Sequence, residues 1–292
     1  MEDFVLPKTR IPILFGAFVA LLISCNRAGA SKQDGTYPAL PTVSREVAGL
    51  RYPVEEANLS VNQQYAVYYA EDILMERCMK KGGEEWVPIR PPVQFVSADR
   101  RRYGVMELDV VRRFGYHMPP PPPEATARIV RLNHLTPKAD EIAFGADGQG
   151  GCYAVARERI LGGAHDVDYK LFNDLNRKSL SLAQKTQPVK RAIGRWSACM
   201  KASGYRYEDP FEAVGASSWG REKRPSSKEI EVATTDVECK SKSHLVAVWA
   251  REEVRLQTTY IQENGPYFRK LLAAKDSQMR TVRKITGISV MR

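Results

Sequence analysis

The sequence predicts a mainly α-helical protein: an irregular helical bundle of two disulfide-stapled halves with a long C-terminal helical arm. Three observations point to it. The stretches CMKKGGEEW (78–86) and CMKASGYRY (199–207) share the pattern C-M-K-x-x-G-x-x-aromatic. Each closes a segment whose apolar residues recur at helical spacing. Beyond Cys25, the chain holds four cysteines, Cys78, Cys152, Cys199 and Cys239, an even number at wide spacings.

The first element, residues 1–24, reads as a signal peptide. Lys8 and Arg10 precede an apolar run, residues 11–23, that Asn26 and Arg27 close. Crossing hydrocarbon takes roughly 20 apolar residues, so a run this short suits a signal core. Leu22-Ile23-Ser24-Cys25 resembles the lipobox of bacterial lipoproteins. The resemblance implies a diacylglycerol on the Cys25 thiol and cleavage just before it. A plain secretory signal with an incidental cysteine, or an uncleaved short anchor, are the alternatives. Glu2 and Asp3 are unusual neighbours for such a signal. Residues 25–58 have little periodicity and read as a tether.

The first half is expected over residues 59–165. Ser60 and Gln63 form a capping box, and Ala66, Tyr69, Ala70, Ile73, Leu74 and Cys78 make one apolar stripe. Gly83 stands where a left-handed cap ends a helix. Residues 87–150 are the least regular part. They hold a short helix between Gly104 and Gly115, a stiff polyproline run at 119–123, and a short helix from Thr136-Pro137 to near Gly145. Cys152 then opens another helix.

The second half is expected over residues 166–292. A helical pattern runs from Asp168 to Lys185. A further helix starts at Pro188, lined by Val189, Ala192, Ile193, Trp196 and Met200, with Gly204 as its cap. From Ser226, capped with Glu229, one helix is expected through Asn264, with Ile230, Ala233, Val237, Leu245, Val248, Leu256 and Tyr260 as its stripe. Gly265-Pro266 ends or kinks it, and a basic helix follows. Each half thus repeats a helix, a Cys-Met-Lys turn, an excursion and a second cysteine on a helix. Among three possible pairings the simplest is Cys78–Cys152 with Cys199–Cys239. Zinc would want a closer pair such as CxxC.

The chain has 44 Lys and Arg against 34 Asp and Glu, a formal charge of +10. An exported basic protein is drawn to anionic head groups and wall polymers. The same cations also simply solvate helix faces. No nucleic-acid motif appears, and nucleic acid is not an expected partner.

Signs of chemistry are few. His117, His134, His165 and His244 lack metal-ligand spacing. Residues 165–168, His-Asp-Val-Asp, read as a helix cap rather than a cation site. The glycines of ADGQGGC (146–152) read as a lead-in to the disulfide rather than an anion loop. No GxSxG or Walker loop occurs, and no catalytic residue, metal or cofactor is expected. Tyr205, Tyr207 and Trp219, near Asp209 and Glu212, are candidates for a sugar-binding shelf or for the edge of a helical core.

Residues 195–210 with 228–254, and the upstream blocks RRYGV, FGYH and GGCYAVARERIL, resemble an uncharacterised family of exported actinobacterial lipoproteins. The resemblance spans roughly residues 60–285. It implies location and fold class and no reaction. The expectation is a lipid-anchored, non-catalytic protein on the extracytoplasmic face of the cell membrane, held through Cys25, that binds an anionic envelope polymer or a membrane partner. Three alternatives stand beside it: an accessory subunit of a transporter or sensor docking through residues 266–292, a wall hydrolase using carboxylates such as Asp209 or Glu212, and a spacer whose only job is structural.

Overall fold

The N-terminal cap of the longest early helix forms as the sequence requires. Ser60 accepts a hydrogen bond from the Gln63 amide, and the Gln63 side chain accepts one from the Ser60 amide. A computed structural model describes residues 40–92, 97–146, 148, 150–162, 167–216, 219 and 223–289. Cys25 and the apolar run lie outside the described residues. So do His165, Asp166 and most of the expected signal and tether.

The helices in chain order are α1 (Arg45–Gly49), α2 (Val61–Lys81), α3 (Leu108–Phe114), α4 (Pro123–Asn133), α5 (Pro137–Phe144) and α6 (Gly151–Leu161). They continue as α7 (Lys170–Gln184), α8 (Gln187–Ala202), α9 (Pro210–Gly215), α10 (Ser227–Ser243), α11 (Leu245–Glu263) and α12 (Gly265–Thr286). Among the described residues there is no β-strand.

The repeated Cys-Met-Lys motif builds the same object twice. Gly83 and Gly204 are left-handed, at φ 76° and 90°. After each, the next amide reaches back to a methionine carbonyl, Glu84 to Met79 and Tyr205 to Met200, while each glycine amide bonds a lysine carbonyl. That is the Schellman pattern, which satisfies carbonyls left over at a helix end. Met79 and Met200 are fully buried beneath these turns. Cys78 pairs with Cys152, tying α2 to α6, and Cys199 pairs with Cys239, tying α8 to α10.

The two halves do not own separate cores. One core gathers Val189, Trp196 and Met200 of α8, Val232 and Val237 of α10, and Leu245 and Trp249 of α11, together with Tyr103, Met106 and Val111 from the first half. A second joins α2, α5 and α6, and Val282 of α12 closes it. A third holds Val54 and Ala57 against Phe172 and Leu175 of α7 and Phe268 and Leu271 of α12. The boundary at 165/166 therefore separates sequence repeats, not packed bodies. Val110, Val111 and Phe114 of α3 are buried, and α3 finds its cover against α10.

Two expectations are corrected. Residues 44–58 are not tether: Val47, Tyr52, Val54 and Ala57 are buried. A 3₁₀ turn at Pro53–Ala57 hides this from a search for 3.6-residue periodicity. The Lys275 ammonium holds the turn by donating to the carbonyls of Glu56 and Asn58, at 2.8 and 2.5 Å. The helix expected from Ser226 through Asn264 is also broken. His244 is left-handed, at φ 54°, and separates α10 from α11. The break lets α10 lie on α8 and α3 while α11 lies on α7 and α8. The Gly265-Pro266 pair, by contrast, opens α12 as expected.

Candidate functional site

Buried charge is concentrated around Arg102. Its guanidinium meets Glu253 of α11, Glu55 of the 3₁₀ turn and Asp99, and donates to the Asn176 side chain of α7 at 2.6 Å. It also lies 4.1 Å over the Tyr52 ring. Glu253 is fully buried and accepts from the Tyr103 hydroxyl, Ser179 and Gln257. One guanidinium faces three carboxylates here, so the full set cannot stay ionised cheaply in a poorly solvated place. Burial first, and then Asp99, push the Glu55 carboxyl up to about 7, against the pull of Arg102. Every member of the cluster is spent on another member, so it acts as the clamp that joins the N-terminal segment to α7 and α11.

A second buried set lies between α8 and α10. Asp236 accepts from Trp196 Nε1 at 2.8 Å and from Lys240, and Lys240 also donates to the Val105 carbonyl at 2.7 Å. Burial pushes Asp236 up and Lys240 down, and the two groups oppose those shifts in each other. Nearby, Glu229 caps a chain reversal by accepting from the amides of Tyr116 and His117. Gly115 makes this possible, because a Cβ there would come within 2.6 Å of the Glu229 carboxylate.

The residues singled out as chemically suggestive are mostly structural. Asp209 accepts the amides of Phe211 and Glu212 as the cap of α9, and Glu212 accepts the Glu208 amide. Trp219 stacks on Tyr116 with ring centres 5.6 Å apart and donates its Nε1–H to the Ala213 carbonyl. The Tyr205 hydroxyl donates to Glu231, and the Lys228 ammonium sits 4.7 Å over its ring. Tyr205, Tyr207 and Trp219 pack against the edge of the main core. Asp168 accepts the Lys170 amide. Gly151 is left-handed and so close to α5 that a Cβ would lie 2.6 Å from the Ile142 carbonyl oxygen. Tight packing of α6 on α5 therefore accounts for the glycine at this position.

Glu71 lies at a small cavity of about 50 Å³ together with Tyr153, Arg157 and Gln278. Burial pushes its carboxyl up to about 7, against the pull of Arg157 and Arg128. A space of this size has room for a few waters rather than a sugar ring. Among the described residues, no group of three or more His, Cys, Asp and Glu is placed to hold a metal ion. No helix among them is long and apolar enough to cross a membrane.

Exposed positive charge is concentrated on α7 and α8. Between Lys170 and Lys201 stand Lys170, Arg177, Lys178, Lys185, Lys190, Arg191, Arg195 and Lys201, against one acid, Asp174. All eight cations are exposed. Among the described residues only Arg177 has a carboxylate partner, Asp174. Both helices pack on α11, and Arg195 also donates to the Ser243 carbonyl at the end of α10, at 3.1 Å. The arm at 266–292 is less free than the sequence suggested, since Phe268, Leu271 and Val282 of α12 are buried in two of the cores.

No protein-family model, curated protein or solved structure matches this chain.

Proposed function

We propose that this is a lipid-anchored, non-catalytic protein of the extracytoplasmic membrane face that holds an anionic envelope polymer along α7 and α8. The eight exposed cations of α7 and α8, set against a single acid, carry this reading. At 1.5 Å per residue, α7 and α8 are each roughly 22–24 Å long. Charges spread over such lengths suit a long polyanion, which meets them one after another. A compact anion would need donors that converge. Lysine dominates this set and acts as a hydrated point charge without the fixed fork of arginine, which favours a flexible partner over one of fixed shape. Support for the location comes from the sequence around Cys25. Two acyl chains on one terminus give stable membrane attachment where one does not.

The test is capture from intact cells. The protein is cross-linked in place, purified through a C-terminal tag, and its companions are identified. Recovery of an anionic wall polymer supports the reading. Recovery of one recurrent membrane protein, without polymer, overturns it in favour of an accessory subunit.

A further inference from the structure

The helix α4 is built inside out. Arg128 and Arg131 turn toward the protein, where both pair with Asp72 of α2, at 3.1 and 2.7 Å. Arg131 also lies 4.1 Å over the Trp86 ring, and Arg128 lies 4.9 Å over Tyr68. Ile129 and Val130 point away from the arginines, exposed to 55 and 50%, and Leu132, one turn after Arg128, is 45% exposed on the flank of the helix. No residue of α4 is buried. Beside it runs Val87, 60% exposed, whose carbonyl accepts from Arg131. A helix resting on a soluble body normally does the reverse, burying aliphatics and showing its cations to water.

We propose that this face docks on a lipid bilayer, with Ile129, Val130 and Leu132 entering the boundary between head groups and acyl chains. The proposal rests on the reading that Cys25 carries the anchor. From Cys25 to Leu40, the first described residue, is 40 − 25 = 15 steps of chain. At up to roughly 3.5 Å per residue these reach about 50 Å. A body of this length has a radius of gyration of about 19 Å, so α4 can reach the surface that holds the anchor. The size of the patch points the same way. Three half-exposed aliphatic side chains on α4 fall well short of the ~800 Å² per partner of a standard protein interface. They match the shallow burial of a short amphipathic helix lying in the plane of a membrane. Arg128 and Arg131 share the one carboxylate of Asp72 and turn their charge toward the body, so no cation need be dragged below the head groups.

The test uses the full-length protein reconstituted into vesicles of phosphatidylglycerol and phosphatidylethanolamine. An environment-sensitive fluorophore is placed on Val130→Cys, with Lys190→Cys on α8 as the control, and spin-labelled lipid is added as quencher. Docking predicts about a twofold loss of emission at position 130 and little change at 190. An unquenched probe at 130 overturns the proposal. So does equal quenching at both positions, which would mean general adsorption through basic surfaces. Energy transfer between copies labelled at 130, without lipid quenching, assigns the face to a second copy and also overturns it. Mass measurement of the N-terminal peptide separates the two readings. An acylated Cys25 with an unquenched probe leaves the anchor standing and removes the docking. A quenched probe on an unacylated chain removes the anchor and leaves the docking.

Discussion

Arg102 and Glu253 are 151 positions apart in the chain and form a two-point ion pair, Nη2 to Oε1 at 2.5 Å and Nε to Oε2 at 3.2 Å. The Glu253 side chain has no exposure to solvent and that of Arg102 only 6%. A pair this deep adds little net stability against an apolar pair of the same shape, but losing one partner strands the other. The contact fixes where the loop before α3 sits relative to α11, and Glu55 extends it to the N-terminal segment.

Glu253→Ala is therefore expected to destabilise the protein by about 3–5 kcal/mol. In urea unfolding this appears as a lower midpoint. Glu253→Gln, which keeps the shape and part of the hydrogen bonding, should lose less. Equal losses for the two would show that the charge contributes nothing.

The carboxyls of Glu55 and Glu71 both titrate near 7 rather than in the usual range. In the unfolded chain a glutamate titrates near 4.3. Below that pH both states hold the proton. Between there and about pH 7 the folded state alone keeps it, so unfolding releases protons and stability falls as pH rises. The wild-type melting temperature should decline from about pH 5 to pH 8, the window these shifts define. Glu55→Gln with Glu71→Gln should flatten the decline. A melting temperature that climbs over the same window in the wild type would contradict the assignment.

The loop closed by Cys78–Cys152 spans 74 positions and that closed by Cys199–Cys239 spans 40. In the chain-entropy model each bridge stabilises by about 4 kcal/mol. Cys199→Ser with Cys239→Ser is expected to lower the melting temperature by about 10 °C. Non-reducing peptide mapping should recover these two pairs and no Cys78–Cys199 peptide.

Because α4 has no buried residue, its attachment depends on Asp72. Asp72→Ala should raise amide exchange across residues 123–133 while α8, α10 and α11 stay protected. Uniform loss of protection would mean that Asp72 supports the whole fold instead.

Much of this architecture is legible from the sequence, and what is not has a physical cause. The cap at Ser60, the paired turns at Gly83 and Gly204 and the opening of α12 at Gly265-Pro266 are local, so local residues declare them. The stripe of α10 and α11 is different. Its inward positions include Asp236, Lys240, Glu253 and Gln257, which a search for apolar periodicity passes over. The register Trp249, Glu253, Gln257 at four-residue steps is the one signal that these polar groups continue a buried face. His244 carries no breaker signal at all, since its left-handed backbone is imposed by what α10 and α11 each pack against. Among the candidate residues, Tyr205, Tyr207, Trp219, Asp209 and Glu212 suggested a site by type alone. Their partners, Tyr116, Ala213 and Glu231 among them, are set by tertiary placement. The cations of α7 and α8 stand in the sequence as a run from Lys170 to Lys201 with one acid, and what the sequence does not declare is that all eight stay exposed in the fold.

Charge reversal on α7 and α8 is the most direct test of the polymer reading. Lys178, Lys185, Lys190 and Arg191 are exposed, so changing all four to Glu should leave the melting temperature close to that of the wild type. Binding is read by co-sedimentation with isolated cell walls as salt rises from about 0.05 to about 0.5 M, over which the Debye length shrinks severalfold. The wild type should bind at low salt and release at high salt, and the reversed protein should stay in solution throughout. A reversed protein that sediments as well as the wild type would contradict the assignment of α7 and α8 as the polymer-binding surface.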